Sequence, residues 1–290
     1  MVGGGTAGLY TGGLRTVSLE GAPNADESDV HKRRPRIVHR GVRMTGSGKG
    51  ALPEARPISL TFDDGPDPVW TPRVLEALQR AEARATFFVV APLARRFPHL
   101  ISDVLRAGHG VGFHCTEHVR HTERTREEVK ADTRAGLRTL EVLGSFPHFW
   151  RPPWGVLAPF TAEIADDFGL EIVLWTEGTR DWHGDPAPEM LERVGPRLRP
   201  GSVVLMHDGI GPGARRSGCG ETVALVGGLV ERIRSLGCEP GLLTTTLDAG
   251  FTVGAPSVDE ASSEQERLVR ESEPKARTEA GRPAFLEGRP

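Results

Sequence analysis

The chain has 290 residues, 38% of them in the apolar set, with 36 glycines and a formal charge of −3 from 36 Lys and Arg against 39 Asp and Glu. That apolar content supports a real core in one large domain or two smaller ones, and the near-neutral balance argues against a chain-wide basic surface, so no nucleic-acid partner is expected. Three cysteines, Cys115, Cys219 and Cys238, form no C-x-x-C pair, which argues against a disulfide framework and suits a reducing compartment.

Residues 1–56 are rich in glycine and charge, and the basic run from Lys32 to Arg43 has no acidic counterpart; the segment reads as a disordered N-terminal extension. Its first thirty residues lack the basic start and unbroken apolar stretch of a secretory leader, so a cytoplasmic location is expected. No run approaches the roughly 18 apolar residues of a membrane span. TGSGKG looks like a phosphate loop, but Arg43 stands where the first Gly is required and Gly50 replaces the Ser or Thr that would meet Mg²⁺.

Residues 57–248 read as one domain with an alternating pattern. ISLTF precedes TPRVLEALQRA, ATFFVV precedes PLARRFPHLISDVLRAG, GVGFH precedes TREEVKADTRAGLRTLEVLG, and HFWRPP precedes APFTAEIADDFG; EIVLW, SVVLMH and their helical partners follow, and GLLTTTL ends the series. Apolar spacings of three and four, as at Val74, Leu75 and Leu78, fit amphipathic helices. Strand then helix, about seven times over, predicts a parallel sheet covered by helices, either open and doubly wound or closed as a barrel. From 249 to 290 the chain is charge-dense and reads as a solvated, disordered tail.

Both architectures place chemistry at the C-terminal ends of the strands, and reactive side chains recur there. TFDDGP sets Asp63 and Asp64 side by side before a Gly-Pro break, which both carboxylates need if they are to enter one site, since neighbours on a regular strand face opposite ways. HCTEHVRH sets His114 and His118 four apart; one helical turn would put both imidazoles on one face, and with Asp63 or Asp64 they form the two-histidine, one-carboxylate set of hydrolytic zinc sites. His121 reads as a supporting or solvent residue.

The same stretch spells H-x-x-E-H through Glu117, the inverted zinc-peptidase motif. That rival needs a longer helix than the glycine-rich GHGVGF before it suggests. Farther on, RPPWG, TRDWHGD and LMHDG follow the next three strands. Arg151 can keep a carboxylate ionised, and Asp181 beside His207 would orient the imidazole and raise its pKa, giving a proton donor to a leaving amine. Of five tryptophans, Trp150 and Trp175 are expected in the core, and Trp154 and Trp182 as walls for stacking sugar rings.

In this order the five segments resemble the motifs of the polysaccharide deacetylase family, the NodB-homology carbohydrate esterases of family 4, across about 60 to 207. The resemblance implies a distorted seven-stranded (β/α) barrel and metal-dependent removal of acetyl from an N-acetylated sugar, polymeric or a small conjugate, so an acetylated carbohydrate is the expected partner. It implies Asp63 as catalytic base held by Arg151, and Asp64, His114 and His118 as ligands of one divalent ion, zinc by default with cobalt or nickel fitting the same donors. It further implies the Trp154 N–H as oxyanion donor, His207 as general acid with Asp181 as its partner, and Trp182 and Leu205 around the acetyl group. Cys115 stands where Ser or Thr is usual, with its side chain expected to point away, and Gly178 where an acidic residue often precedes Asp181. A sugar-binding barrel that has lost its chemistry is the non-enzymatic alternative.

Overall fold

The computed structural model describes residues 57–243, together with the backbone of a two-residue strand at Ile37–Val38. The expected tails otherwise lie outside the described residues, as does most of GLLTTTL. The strands are β1 (Ile37–Val38), β2 (Ile58–Asp63), β3 (Thr86–Val90), β4 (Gly110–Cys115), β5 (Phe149–Trp150), β6 (Glu171–Val173), β7 (Glu177–Gly178), β8 (Val203–His207) and β9 (Pro240–Gly241). They run parallel in the order β1-β6-β5-β4-β3-β2-β8-β7, with β9 beside β2. The pairing of β1 with β6 gives sheet structure to a point inside the leading segment that composition alone reads as disordered.

The seven strands from β6 to β7 in that order form the curled sheet of a distorted (β/α) barrel. EIVLW suggests one strand, but only its first three residues form β6, which pairs with β5; β7 follows after Leu174–Thr176, beyond that run, and pairs with β8. One stretch of chain thus brings the two edges of the curled sheet together. At the break the carbonyls of Val173 and Leu174 accept instead from the Arg151 guanidinium, both at 3.1 Å, so the change of partner leaves no buried acceptor stranded.

The helices are α1 (Trp70–Arg80), α2 (Ala91–Arg96), α3 (Pro98–Arg106), α4 (Arg126–Val142), α5 (Thr161–Asp167), α6 (Ala187–Val194) and α7 (Gly220–Ser235). The long pattern PLARRFPHLISDVLRAG splits into α2 and α3 because Pro98 disfavours helical backbone at Phe97, which sits at φ −126° and ψ 59°. α4 starts with a reciprocal capping box between Thr125 and Glu128, worth about 1 kcal/mol. It lies tight on β4: a β-carbon at Gly136 would come 2.2 Å from the Phe113 ring. Among the described residues no helix is long and apolar enough to cross a membrane.

Alternation along β2 divides its side chains. Ile58, Leu60 and Phe62 join Val74, Leu78, Leu229 and Ile233 in the apolar cluster under α1 and α7, with Phe62 stacked on Phe87 at 5.1 Å. Thr61 and Asp63 turn the other way, toward Arg151 in the barrel interior. Burial on both faces leaves the polar Ser59, Thr61 and Asp63 as enclosed as their apolar neighbours.

Candidate active site

Register brings the site together. Asp63 on β2 lies opposite His207 on β8, and pairing of Phe113 with Trp150 sets His114 and Arg151 at neighbouring positions one step farther on. Arg151 is fully buried and donates Nη1 to Asp63 Oδ1 at 2.7 Å and to Thr61 Oγ1 at 2.8 Å, with its Cζ 4.1 Å from the Phe88 ring centre. A buried cation so completely bonded fixes the direction of its carboxylate partner.

The strand does break at the paired aspartates. Asp64 takes φ +71°, a left-handed conformation that Asp tolerates better than most residues, and both carboxylates reach one cleft. The histidine pair corrects the sequence reading, because no helical turn joins the two rings. His114 ends β4, after which the chain bends at Thr116–Glu117 and carries His118 back. Asp132 on α4 holds the bend, accepting from the backbone N–H of Thr116 at 2.9 Å and of Glu117 at 2.8 Å.

Asp64, His114 and His118 each offer one donor atom within 4.8 Å of the others. His114 gives its Nδ1 hydrogen to the Arg151 carbonyl at 2.6 Å, so the Nε2 lone pair of the neutral ring faces Asp64 Oδ1 at 3.4 Å; His118 Nε2 is 3.2 Å from the same oxygen. That oxygen is buried and has no conventional hydrogen-bond partner. Acceptors converging on one point call for a cation between them, and two imidazoles with a carboxylate fit one divalent ion. Burial opposes ionisation of Asp64, yet the contacts from His114 and His118 hold its carboxyl well below the usual range.

Opposite this triad, His207 shares its Nδ1 hydrogen with Asp181 Oδ1 at 2.7 Å and gives its backbone N–H to Oδ2 at 2.9 Å. Asp181 Oδ2 also accepts from Arg216 Nη1 and Thr222 Oγ1, each at 2.8 Å. Burial disfavours the His207 cation, but the Asp181 charge prevails and pushes its pKa up to about 9. Trp154 adopts φ +62°, and its N–H makes no hydrogen bond within the described residues, leaving a donor for a developing oxyanion.

Trp154, Trp182 and Leu205 line the cleft. Trp175 lines it too, although its place in the apolar cluster makes it both wall and core. Trp150 is core alone. His121 is neither solvated nor among the donors: its Nδ1 lies 3.0 Å from Thr161 Oγ1 and its ring packs on Trp150 at 5.1 Å, a neutral core contact with its pKa pushed down to about 3 by burial and Arg124. Cys115 is buried, and burial pushes its thiol well above the usual range, so it stays protonated. Glu117 pairs with Arg124 at 2.8 Å on the exposed surface, which removes the peptidase geometry.

Several contributors are absent from the motif reading. Asp132 shapes the histidine loop, and Arg216 and Thr222 anchor Asp181. Gly211 packs so closely on Asp64 that a β-carbon there would stand 2.1 Å from Oδ2. Asp208, under the Asp63–Gly65 turn, accepts from Thr71 Oγ1 at 2.5 Å. An arginine, an aspartate and glycine-rich spacing after LMH were the only signals for these.

A curled parallel barrel with a carboxylate–arginine pair, a three-donor cluster and a histidine–aspartate pair in one cleft defines a hydrolase-type site. The polysaccharide deacetylase profile matches residues 51–173. A peptidoglycan-N-acetylglucosamine deacetylase of Bacillus cereus is 33% identical over 182 residues, which is 62% of this chain and 83% of that protein. A chitooligosaccharide deacetylase of Azorhizobium caulinodans is 31% identical over 188 residues, 62% of this chain and 89% of the relative. The crystal structure of the Bc1960 peptidoglycan N-acetylglucosamine deacetylase superposes with a TM-score of 0.61 at 28% identity, covering 66% of this chain and 87% of that one. The chain belongs to the polysaccharide deacetylase family.

Proposed function

We propose that this chain is a metal-dependent deacetylase that hydrolyses the acetamido group of an N-acetylated sugar, releasing acetate and leaving an amine. The observation that carries the reading is the placement of the Asp63–Arg151 and His207–Asp181 pairs in the same cleft as the Asp64, His114 and His118 donors. Zinc is the default ion for that donor set, with cobalt or nickel compatible. Such an ion supplies Lewis acidity toward an acyl oxygen and acidifies water.

Asp63, aimed by Arg151, takes a proton from the attacking water as general base. The Trp154 N–H meets the oxygen that becomes negative as the acyl carbon turns tetrahedral. His207, held by Asp181, then gives its proton to the departing nitrogen. Because an amine leaves far more readily when protonated, a histidine with a raised pKa favours N-acetyl over O-acetyl substrates. Leu205 and Trp182 shape the space for the acetyl methyl, and Trp154 offers a flat face to a sugar ring.

The experiment is acetate release from N-acetylated chitooligosaccharides. A chelator is expected to abolish it and zinc or cobalt to restore it; Asp63→Asn should lower kcat about 10²- to 10⁴-fold, while Glu117→Ala stays within about twofold. The reverse ranking of the two variants returns the peptidase. Absence of both metal and acetate release favours a binding barrel. We place the protein in the cytoplasm, supported by three buried, unpaired thiols; cell fractionation tests that placement.

A further inference from the structure

Beside Trp182, behind the cleft-lining residues, sits a positive charge that the mechanism leaves unused. Arg180 directly precedes Asp181 and adopts φ +60° and ψ 29°, a left-handed conformation costing an ordinary side chain on the order of 1–2 kcal/mol. Strain of this kind persists where the surroundings over-determine it, often at ligand-binding sites. Its guanidinium lies 5.9 Å from the ring centre of Trp182, a cleft residue, and its Nε is buried without a hydrogen-bond partner. No carboxylate pairs with it among the described residues.

The neighbourhood adds to the positive field. Arg215 donates its backbone N–H to the Trp182 carbonyl at 2.9 Å and Nη1 to His183 Nε2 at 3.3 Å. His183 in turn is bonded to Asp185 at 2.6 Å, and Asp185 to Arg193 at 2.5 Å. Arg216 serves Asp181. The two carboxylates of this shelf are therefore engaged by other cations, and Arg180 is the guanidinium left over. A partly desolvated cation without a protein partner lowers stability, a cost offset when a ligand brings the counter-charge.

We propose that Arg180 is a substrate-binding residue for an anionic substituent, so that this site prefers acidic N-acetylated sugars to neutral ones. A carboxylate or a phosphate matches the guanidinium fork in two parallel hydrogen bonds, while Trp182 covers the apolar face of the same ring. This rests on the deacetylase reading of the cleft.

The test compares kcat/KM for acetate release from three probes: N,N′-diacetylchitobiose as the neutral arm, a disaccharide containing N-acetylmuramic acid as the carboxylate arm, and N-acetylglucosamine 6-phosphate as the phosphate arm. At low salt at least one acidic arm is expected to exceed the neutral arm about tenfold, with the ratio shrinking as ionic strength rises. Arg180→Asn, chosen because Asn accepts the left-handed backbone, should bring the ratio to about one, and Arg180→Lys should retain part of it. Equal rates in the wild-type protein, or a ratio that survives in Arg180→Asn, overturn the proposal. If no arm releases acetate, the deacetylase assignment fails and this inference with it.

Discussion

The two flanks of the cleft are built on opposite terms. On the β8 flank Asp181 accepts four hydrogen bonds, from His207 twice, Arg216 and Thr222, so the imidazole–carboxylate pair is oriented by protein alone. On the β2–β4 flank Asp64 Oδ1 and His118 Nδ1 are buried without hydrogen-bond partners, and acceptors point at acceptors. The contrast teaches that one flank is saturated by protein hydrogen bonds, while the other gathers three donors that could hold one cation.

The largest effect should come from the incomplete flank. In Asp64→Asn the donor set loses its anionic member, and acetate release should fall about 10³-fold or more. Saturating zinc should raise Tm of the wild-type protein by about 5 °C or more, since an ion at a hundred times its Kd stabilises by roughly 2.7 kcal/mol. Asp64→Asn should lose that shift by thermal scanning, and a full shift in the variant would contradict the division of the cleft.

A moderate effect is expected on the saturated flank. Arg216→Gln should lower kcat/KM about tenfold and keep the zinc-induced Tm shift, because it loosens Asp181 without touching the donors. Its pH profile separates orientation from simple damage. His207 donates only when protonated, so activity falls as pH rises through its pKa, pushed up to about 9. Removing the neighbouring guanidinium leaves Asp181 to act more fully on the imidazole, and the alkaline limb moves up; Asp181→Asn should move it down. Limbs shifting in the same direction for both variants would sink this account.

The smallest effect concerns stability. Asp208 has one buried oxygen without a partner, and burial pushes its carboxyl up to about 7. The folded state therefore keeps a proton that the unfolded chain releases near 3.8, so the stability this group contributes is full below that pH and is lost as pH rises through about 7. Asp208→Asn retains an oxygen to accept from Thr71, and its Tm should decline less than the wild type's between pH 4 and 7. Equal slopes in a pH series would show that Asp208 does not titrate in that window.

The alternation of short apolar runs with amphipathic stretches made the parallel barrel legible, because burial on both faces leaves a strand little choice of residue. Asp63, Arg151, Asp181 and His207 were legible for a related reason: each stands at or just beyond the C-terminal end of a strand, where parallel sheets collect reactive groups. What spacing hid was contact across the chain. The distance of four between His114 and His118 suggested a helical turn, whereas the actual bend depends on Asp132, some sixteen residues later on another element. Arg216 sits in a glycine-rich loop with no periodicity, so nothing local ties it to Asp181. EIVLW gave no sign of leaving the sheet after Val173, since the carbonyls freed there are met by a side chain from β5's end.

The tight seat of Gly211 against Asp64 has an evolutionary corollary. A single methyl group introduced at that loop position would collide with the carboxylate while leaving every signature segment intact. Silencing of such a barrel need not pass through any of its ligands, and a catalogue of preserved motifs would still count the silenced copy as active.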